Sequence, residues 1–176
     1  QDRNAEKAFV EGCGIEVAPH APVRSLGDIE ALSDELLPGI LKVARLGYDG
    51  KGQARVADRA AVRAAFEGFG GVECILERAL ELDKEISVVV ARGADGETAA
   101  YPVAENVHRN GILAVSSVPA RIDPETALRA TAATVRIAHS LDYVGVLCVE
   151  FFLLADGSML VNEIAPRPHN SGHYTI

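Results

Sequence analysis

Two glutamates stand on either side of an Asp-Gly turn signal, in the stretch VEFFLLADGSMLVNE (149–163). Asp156-Gly157 lies between two apolar runs, which is a strong hairpin signal because both central positions of a two-residue type I′ turn need positive φ. Counting outward from this turn pairs Ala155 with Ser158, Leu154 with Met159, Phe152 with Val161, and Glu150 with Glu163. We therefore expect two carboxylates to face each other across a hairpin, on one face with the four apolar side chains of the pairs between them.

Like charges that face each other across an antiparallel pair destabilise it by a few tenths to about 1 kcal/mol, and more where apolar neighbours lower the dielectric. One glutamate could be protonated, an arginine or lysine could neutralise the pair, or the register could slip. A divalent cation between the carboxylates is the functional alternative. Oxygen ligands favour Mg²⁺, Mn²⁺ or Ca²⁺ over zinc. Because Mg²⁺ with few protein ligands usually binds phosphates as well, this alternative predicts a phosphate site.

The phosphate candidate is the glycine-rich stretch GYDGKGQ (47–53), between two predicted strands. It matches neither the Walker A motif nor the dinucleotide fingerprint, both of which need a helix after the glycines. Its backbone could approach an anion closely and direct N–H groups at it. Lys51 at the tip and Lys42 on the preceding strand add positive charge. A flexible turn with a solvated lysine is the alternative reading of the same residues.

A third polar cluster, NEIAPRPHNSGH (162–173), begins at Glu163 and brings Arg167, His169 and His173 into one Pro- and Gly-rich loop. The two histidines have the spacing of a helical metal pair, but Pro168 and Gly172 argue against a helix, and no HExxH motif is present. A cationic loop beside a metal and phosphate site suits a second anionic substrate. An ordinary connecting loop remains the alternative.

Composition limits the classes of function. The chain has 176 residues, 48% of them hydrophobic, and a net charge of −8 without a lysine-rich run, which argues against duplex nucleic acid as a partner. No apolar run approaches the length of a membrane span, so we expect no membrane segment. The scattered Cys13, Cys74 and Cys148 fit reduced thiols in a cytoplasmic protein. Since the chain starts with Gln and its last residues, HNSGHYTI, show no closing helix or strand, we expect a piece of a longer protein.

Local patterns predict α+β lobes. Residues 2–11 form a helix ended by Gly12 and Gly14, and a second helix runs from the N-cap Ser25 to about Leu37. Strands at 40–44 and 53–56 flank the glycine loop, Asp58 caps a helix to about Phe66, and 72–77 is a strand. These elements make up a first lobe, residues 1–77.

The second predicted lobe, residues 78–176, begins with a long hairpin over 84–108 that turns at Asp95-Gly96. Asp123-Pro124 then opens the longest helix, which runs to about Leu141, with Asp as the N-cap and Pro at the first helical position. The Glu150–Glu163 hairpin closes the lobe.

These motifs together resemble a known family. Lys42, the loop GYDGKGQ, the pair Glu77 and Glu85, Glu150, and the stretch VNEIAPRPHNSGHYT are similar to the ATP-grasp core of the N5-carboxyaminoimidazole ribonucleotide synthetase family. The resemblance runs along essentially the whole chain. It implies an ATP-grasp fold, in which two α+β lobes bind ATP between them, and the absence here of the family's flanking domains.

The resemblance implies a role for each candidate residue. The ATP-binding set is Lys42, Gly47, Tyr48, Asp49, Gly50, Lys51, Gly52, Gln53, Glu77, Arg78, Ala79, Leu80, Glu85, His108, Asn162 and Glu163. Within it, Glu77 to Leu80 would bind adenine and Glu85 the ribose. Glu150 and Glu163 would hold Mg²⁺ or Mn²⁺. The residues directed at bicarbonate and aminoimidazole ribonucleotide are Tyr48, Asp49, Lys51, Arg167 and His169. Ala165 stands where many ATP-grasp enzymes have an Asn ligand, so a third metal ligand is absent or supplied differently.

The implied activity is a ligase reaction of purine biosynthesis, in which ATP and bicarbonate carboxylate 5-aminoimidazole ribonucleotide through carboxyphosphate. The resemblance also implies a cytoplasmic enzyme and a homodimer in the full-length protein. Another ATP-grasp carboxylate or bicarbonate ligase is one alternative. A fragment that binds ATP without turnover is the other.

Overall fold

The structure, a computed structural model, describes residues 2–45, 52–109 and 111–175. Its helices are Arg3–Gly12 (α1), Leu26–Glu30 (α2), Arg59–Gly68 (α3) and Pro124–Ser140 (α4), with short 3₁₀ helices at Asp34–Leu36 and Asn170–Thr175. Its strands are His20–Val23 (β1), Gly39–Val43 (β2), Gln53–Val56 (β3), Cys74–Arg78 (β4), Leu82–Arg92 (β5), Thr98–Ala100 (β6), Ala104–Arg109 (β7), Ile112–Ser117 (β8), Gly145–Leu154 (β9) and Met159–Ala165 (β10). Within the described ranges, no helix has both the length and the apolar character that crossing a membrane requires.

The chain forms two compact units, Gln1–Ala8 with Ala18–Leu80, and Phe9–Val17 with Glu81–Ile176. These units extend the first part of the chain to Leu80 and assign residues 9–17 to the second unit, whereas the sequence placed a single division after residue 77. The reason is visible locally: the N–H of Val161 donates to the carbonyl of Glu16 at 2.8 Å, and Val17 bridges to Val161. A segment distant in sequence is thereby joined to the closing hairpin.

The first unit is built on an antiparallel sheet in the order β1-β4-β2-β3. Strand β4 is buried over its first four residues, and α3 packs Val62 and Phe66, four residues apart, into the same core. The predicted cap is confirmed, since the Asp58 side chain accepts from the Ala61 N–H at 2.8 Å. This sheet carries Lys42 and Glu77 on its neighbouring central strands.

The helix predicted from Ser25 to Leu37 is wrong in its length. Ser25 caps α2 as expected, but α2 ends at Glu30. Ser33 then caps the separate 3₁₀ helix Asp34–Leu36 through the Glu35 N–H. Because a serine side chain can bond to nearby backbone N–H groups, it favours such a break over an uninterrupted helix.

The second unit is built on a sheet in the order β10-β9-β5-β7-β8, with β6 also paired to β5. Helix α4, capped by Asp123 as predicted, buries Ala130 and Ile137 among the side chains of this sheet. Phe151 is fully buried in the same core. Strands β1 and β8 were not predicted, and neither was the terminal 3₁₀ helix, which forms despite Pro168 and Gly172.

The hairpins at Asp156-Gly157 and Asp95-Gly96 share one turn type. It is not the two-residue type I′ turn that was predicted for Asp156-Gly157. The Gly157 N–H donates to the Leu154 carbonyl and the Leu154 N–H to the Ser158 carbonyl, each at 3.0 Å, with Gly157 at φ +84°. These bonds define a three-residue loop, a type I turn followed by a left-handed glycine, rather than a two-residue type I′ turn. The hairpin at Asp95-Gly96 has the same pattern.

The longer turn shifts the register near the loop by one residue. Met159 pairs with Leu153 and Val161 with Phe151, so the predicted pairs for these residues are wrong. A β-bulge between Val161 and Glu163 then absorbs the extra residue, and Glu163 faces Glu150 as predicted. Because of the shift, Met159 and Val161 lie in the apolar core with Phe151, not on the face of the glutamates.

Candidate functional site

The two facing carboxylates of β9 and β10 are the centre of the candidate site in the second unit. Burial is the largest influence on Glu150 and the charge of Glu163 the next, and together they raise the pKa of Glu150 to about 6. Asn162, the bulge residue, donates its amide to Glu150 Oε2 at 3.2 Å. On the other oxygen, His169 Nε2 lies 3.4 Å from Glu150 Oε1. Because the bulge restores the register at Glu163, the two glutamates face each other, and the charge of Glu163 acts on Glu150 as expected.

The donor set at this hairpin fits a hard divalent cation. It consists of carboxylate oxygens, and the charge of Glu163 adds to burial in raising the pKa of Glu150. Across the described ranges, no group of three or more His, Cys, Asp or Glu side chains converges to hold a metal by itself. A cation here would therefore need further ligands such as water or phosphate, which is the usual situation for Mg²⁺.

Glu85 and His108 form a second pair on the same sheet. His108 Nδ1 lies 2.9 Å from Glu85 Oε2, and this pairing is the main reason that the pKa of His108 is raised. Neighbouring strands position the two side chains: Glu85 on β5 lies opposite both Asn106 on β7 and Phe152 on β9. The ion pair leaves both side chains partly exposed, at 27% and 21%, so a ligand can reach them.

The loop after β10 separates its three cationic candidates. Arg167 is exposed and donates to the Pro168 carbonyl, and His173 is exposed as well. His169 instead turns inward, and burial lowers its pKa. Tyr143 anchors the start of the loop after β10, since its hydroxyl donates to the Pro166 carbonyl at 2.9 Å. The two histidines therefore do not act as a pair, and His169 belongs with Glu150.

In the first unit, Lys42 and Glu77 form a buried ion pair on adjacent strands. Lys42 Nζ lies 3.0 Å from Glu77 Oε2, and Lys7 Nζ from α1 lies 3.6 Å from the same oxygen. Burial is the largest single influence on Glu77 and would raise its pKa, but the charges of Lys42 and Lys7, together with the hydrogen bond from Lys42 and the charge of Arg3, outweigh it, and the pKa is lowered. Burial in turn lowers the pKa of Lys7. Two lysine ammonium groups therefore lie at one carboxylate oxygen of Glu77.

The glycine loop is only partly described. Gly47, Tyr48, Asp49, Gly50 and Lys51 lie outside the described residues. Gly52 has φ +73°, and a Cβ added there would lie 2.6 Å from Val43 Cγ2, so this position requires glycine. Its carbonyl accepts from the Val43 N–H at 2.8 Å, and Gln53 follows opposite Lys42. The end of the loop is thus fixed beside the lysine.

The segment proposed to bind adenine leaves the first sheet at the end of β4. Arg78 and Ala79 use their N–H groups within the unit, donating to the carbonyls of Pro19 and Pro38 at 2.9 Å each. Leu80 is the last residue of the unit and is half-buried.

Sequence reasoning missed Lys7 and the serines around His169. Lys7 is 2% exposed, and its position three residues before the buried Val10 on an amphipathic helix was a usable signal. Ser171 is fully buried and contacts His169 Nδ1 at 2.9 Å. No local pattern marks it, since a further partner, Ser87, lies on a strand 84 residues earlier in the sequence.

Comparisons with known proteins show several relatives of this chain. The N5-carboxyaminoimidazole ribonucleotide synthase of Brucella melitensis biotype 1 is 49% identical over 99% of this chain and 49% of its own length. A crystal structure of the ADP complex of an N5-carboxyaminoimidazole ribonucleotide synthetase is 45% identical, with a TM-score of 0.92 over 99% of this chain and 47% of that one. A synthase from Aspergillus clavatus in complex with ADP and aminoimidazole ribonucleotide is 28% identical, with a TM-score of 0.89 over 99% of this chain and 46% of that one.

The chain spans about half the length of the curated relatives it matches. The family model that describes the ATP-grasp domain matches residues 8–176, nearly the whole chain. On this match, and in agreement with its mixed helix and strand architecture, the chain belongs to the ATP-grasp family.

Proposed function

We propose that this chain is the ATP-grasp part of a ligase that uses ATP and bicarbonate to carboxylate 5-aminoimidazole ribonucleotide on its exocyclic amine. The observation that carries the proposal is the likeness, at 45% identity and a TM-score of 0.92, to a synthetase bound to ADP. The Aspergillus clavatus complex supports the nature of the second substrate. We further infer that the full-length protein is a cytoplasmic homodimer of the purine pathway.

The first unit would supply the phosphate and adenine contacts. Lys42 is held by Glu77 at 3.0 Å in a buried setting, so its ammonium group is fixed before ATP arrives. Gly52 and Gln53 would direct backbone groups at the phosphates. We assign Lys51, with the rest of the loop, to the γ-phosphate and bicarbonate.

The second unit would supply the metal and ribose contacts. Glu85 and His108 are exposed enough to meet the ribose hydroxyls and the nucleotide, and Asn162 and Glu163 would complete that pocket. Glu150 and Glu163 would hold Mg²⁺ or Mn²⁺, which supplies positive charge to the ATP phosphates when bound. The repulsion between the two carboxylates would then be offset by the cation.

The reaction follows from the weak electrophilicity of bicarbonate. A bicarbonate oxygen attacks the γ-phosphorus, and the bond to the ADP oxygen breaks, which gives carboxyphosphate and ADP. The amine nitrogen of the ribonucleotide then bonds to the carboxyl carbon, directly or after release of CO₂, while phosphate leaves and takes up the amine proton. Arg167 is exposed at the loop and would bind the anionic substrates, and His169 would orient the carboxyl group.

Release of ADP by the purified chain tests this proposal. We expect release to require Mg²⁺, bicarbonate and aminoimidazole ribonucleotide, and to fall when Lys42→Met or Glu150→Gln is introduced. Glu97→Gln, on the exposed turn of the other hairpin, is the matched control and should leave release unchanged. Stimulation by biotin or glycinamide ribonucleotide instead would point to another ATP-grasp ligase. Binding of Mg·ATP without any release of ADP would point to an ATP-binding module.

A further inference from the structure

A line of hydrogen-bonded polar side chains in the second unit leads from Ser116 on strand β8 to His169. Ser116 Oγ donates to Asn106 Oδ1 at 2.8 Å, and Asn106 Nδ2 donates to Ser87 Oγ at 2.9 Å. Ser87 Oγ donates to Ser171 Oγ at 2.8 Å. Asn106, Ser87 and Ser171 are 5%, 1% and 0% exposed, so water does not compete for these bonds.

The bonds in this line run in one direction toward Ser171. Ser87 Oγ accepts from Asn106 Nδ2, which as an amide nitrogen only donates, and Ser87 Oγ donates its own hydrogen to Ser171 Oγ. Ser171 Oγ therefore has its hydrogen left for another acceptor. His169 Nδ1 lies 2.9 Å away, while the sulfur of Cys148, a weak acceptor, lies at 3.6 Å. The hydroxyl of Ser171 thus donates to His169.

His169 Nδ1 also faces a second donor. The backbone N–H of Ser171 points at the same nitrogen at 3.3 Å. Since a backbone N–H can only donate, Nδ1 must be the nitrogen without a proton. In a neutral ring the proton is then on Nε2, the nitrogen that lies 3.4 Å from Glu150 Oε1. The opposite tautomer would place two N–H groups against each other in a buried setting.

We propose that Ser171 is a positioning residue that holds His169 as a neutral ring protonated on Nε2, so that His169 presents an N–H donor to Glu150 and to an anion bound beside it. The tautomer follows from the hydrogen bonds alone, whereas its use toward a carboxylated intermediate rests on the proposed function. His169 in this form orients a carboxyl oxygen by donation. It has no free lone pair on Nε2 with which to remove a proton from the substrate amine.

The ¹⁵N NMR spectrum of the histidine side chains tests the tautomer in the metal-free chain at neutral pH. We expect His169 Nδ1 to resonate as a non-protonated nitrogen and Nε2 as a protonated one, with His169→Gln used to assign the signals. Ser171→Ala removes the hydroxyl donor to Nδ1 and keeps the backbone N–H, so we expect both His169 resonances to move part of the way toward a mixture of tautomers. Ser87→Ala, one bond further away, should give a smaller change in the same direction.

Thr134→Val is the matched control, because Thr134 is also fully buried in this unit but donates only to the Ala130 carbonyl of its own helix. It should leave the His169 signals unchanged. A proton on Nδ1 in the unsubstituted chain, or unchanged His169 signals in both Ser171→Ala and Ser87→Ala, would overturn the proposal.

Activity gives a second, separate result. If ADP release requires the ribonucleotide, we expect Ser171→Ala to lower kcat about tenfold, as loss of an orienting partner typically does, with little change in the KM for ATP. Ser171→Thr, which keeps the hydroxyl, should restore part of the loss. If the nitrogen signals are as expected but no ADP is released, the tautomer is supported and the proposed function is contradicted.

Discussion

Replacing Glu163 by Gln removes one of two facing charges and keeps the shape of the side chain. The pKa of Glu150 is raised to about 6 from an ordinary value of 4.5, and a shift of this size corresponds to roughly 2 kcal/mol of lost stability once Glu150 is ionised. Burial contributes more to the shift than the charge of Glu163 does. We therefore expect Glu163→Gln to recover at most about 1 kcal/mol, or about 2–4 °C in Tm for a chain of this size.

The gain depends on pH in a direction that the shift fixes. A carboxyl whose pKa is higher in the folded state binds more protons there, so its contribution is full below about 4.5 and is lost as the pH rises through about 6. The Gln substitution should therefore stabilise the metal-free chain at pH 7 to 8 and bring little gain near pH 4, where Glu150 is protonated in any case.

Thermal denaturation with and without Mg·ATP measures both consequences. Glu163→Gln should raise the Tm of the metal-free chain and reduce the increase that Mg·ATP produces, because it removes a proposed ligand of the cation. Glu97→Gln makes the same change in net charge on an exposed turn and should do neither. An unchanged or lower Tm without metal, combined with a full response to Mg·ATP, would refute the reasoning.

Three further predictions concern buried or paired positions. Glu77→Gln removes the buried charge that pairs with Lys42, so urea denaturation should show a free energy of unfolding lower by about 3–5 kcal/mol. A decrease below about 1 kcal/mol would contradict the ion pair. Gly39→Ala would place a Cβ 2.7 Å from a backbone oxygen, so the same assay should show a loss of about 1–3 kcal/mol, and a neutral result would disprove the close contact. Glu85→Gln should lower the pKa of His108 in an NMR titration. In the unsubstituted chain the Glu85–His108 pair stabilises the fold fully below the ordinary histidine pKa of 6.5, and this stabilisation is lost as the pH rises through the raised pKa of His108. A pKa of His108 that Glu85→Gln leaves unchanged would contradict the pairing.

The facing glutamates show what can be predicted by counting residue pairs outward from a hairpin turn. The sequence predicted that Glu150 and Glu163 would pair, and they do, but two compensating features lie between them and the turn. A three-residue loop shifts the register by one, and the bulge at Asn162 shifts it back. Asp-Gly is compatible with both turn types, since each places a glycine at positive φ, and so the dipeptide alone could not decide between them.

Side-chain partners that are distant in sequence could not be predicted in the same way. Caps such as Ser25 and Asp58 bond within three residues, and their roles were predicted correctly. Lys7 meets Glu77 only after α1 has packed beside the sheet, and Ser171 meets Ser87 only after the final loop has folded back. Such bonds depend on tertiary packing, which no local pattern encodes.

Transfer of an oxygen atom from ¹⁸O-labelled bicarbonate to inorganic phosphate tests the central claim most directly. If bicarbonate attacks the γ-phosphorus, the phosphate released in the presence of Mg·ATP and aminoimidazole ribonucleotide should carry one oxygen from bicarbonate, and Glu150→Gln should suppress its release. Phosphate that carries no label would show attack by water. That result would contradict a carboxylation through carboxyphosphate.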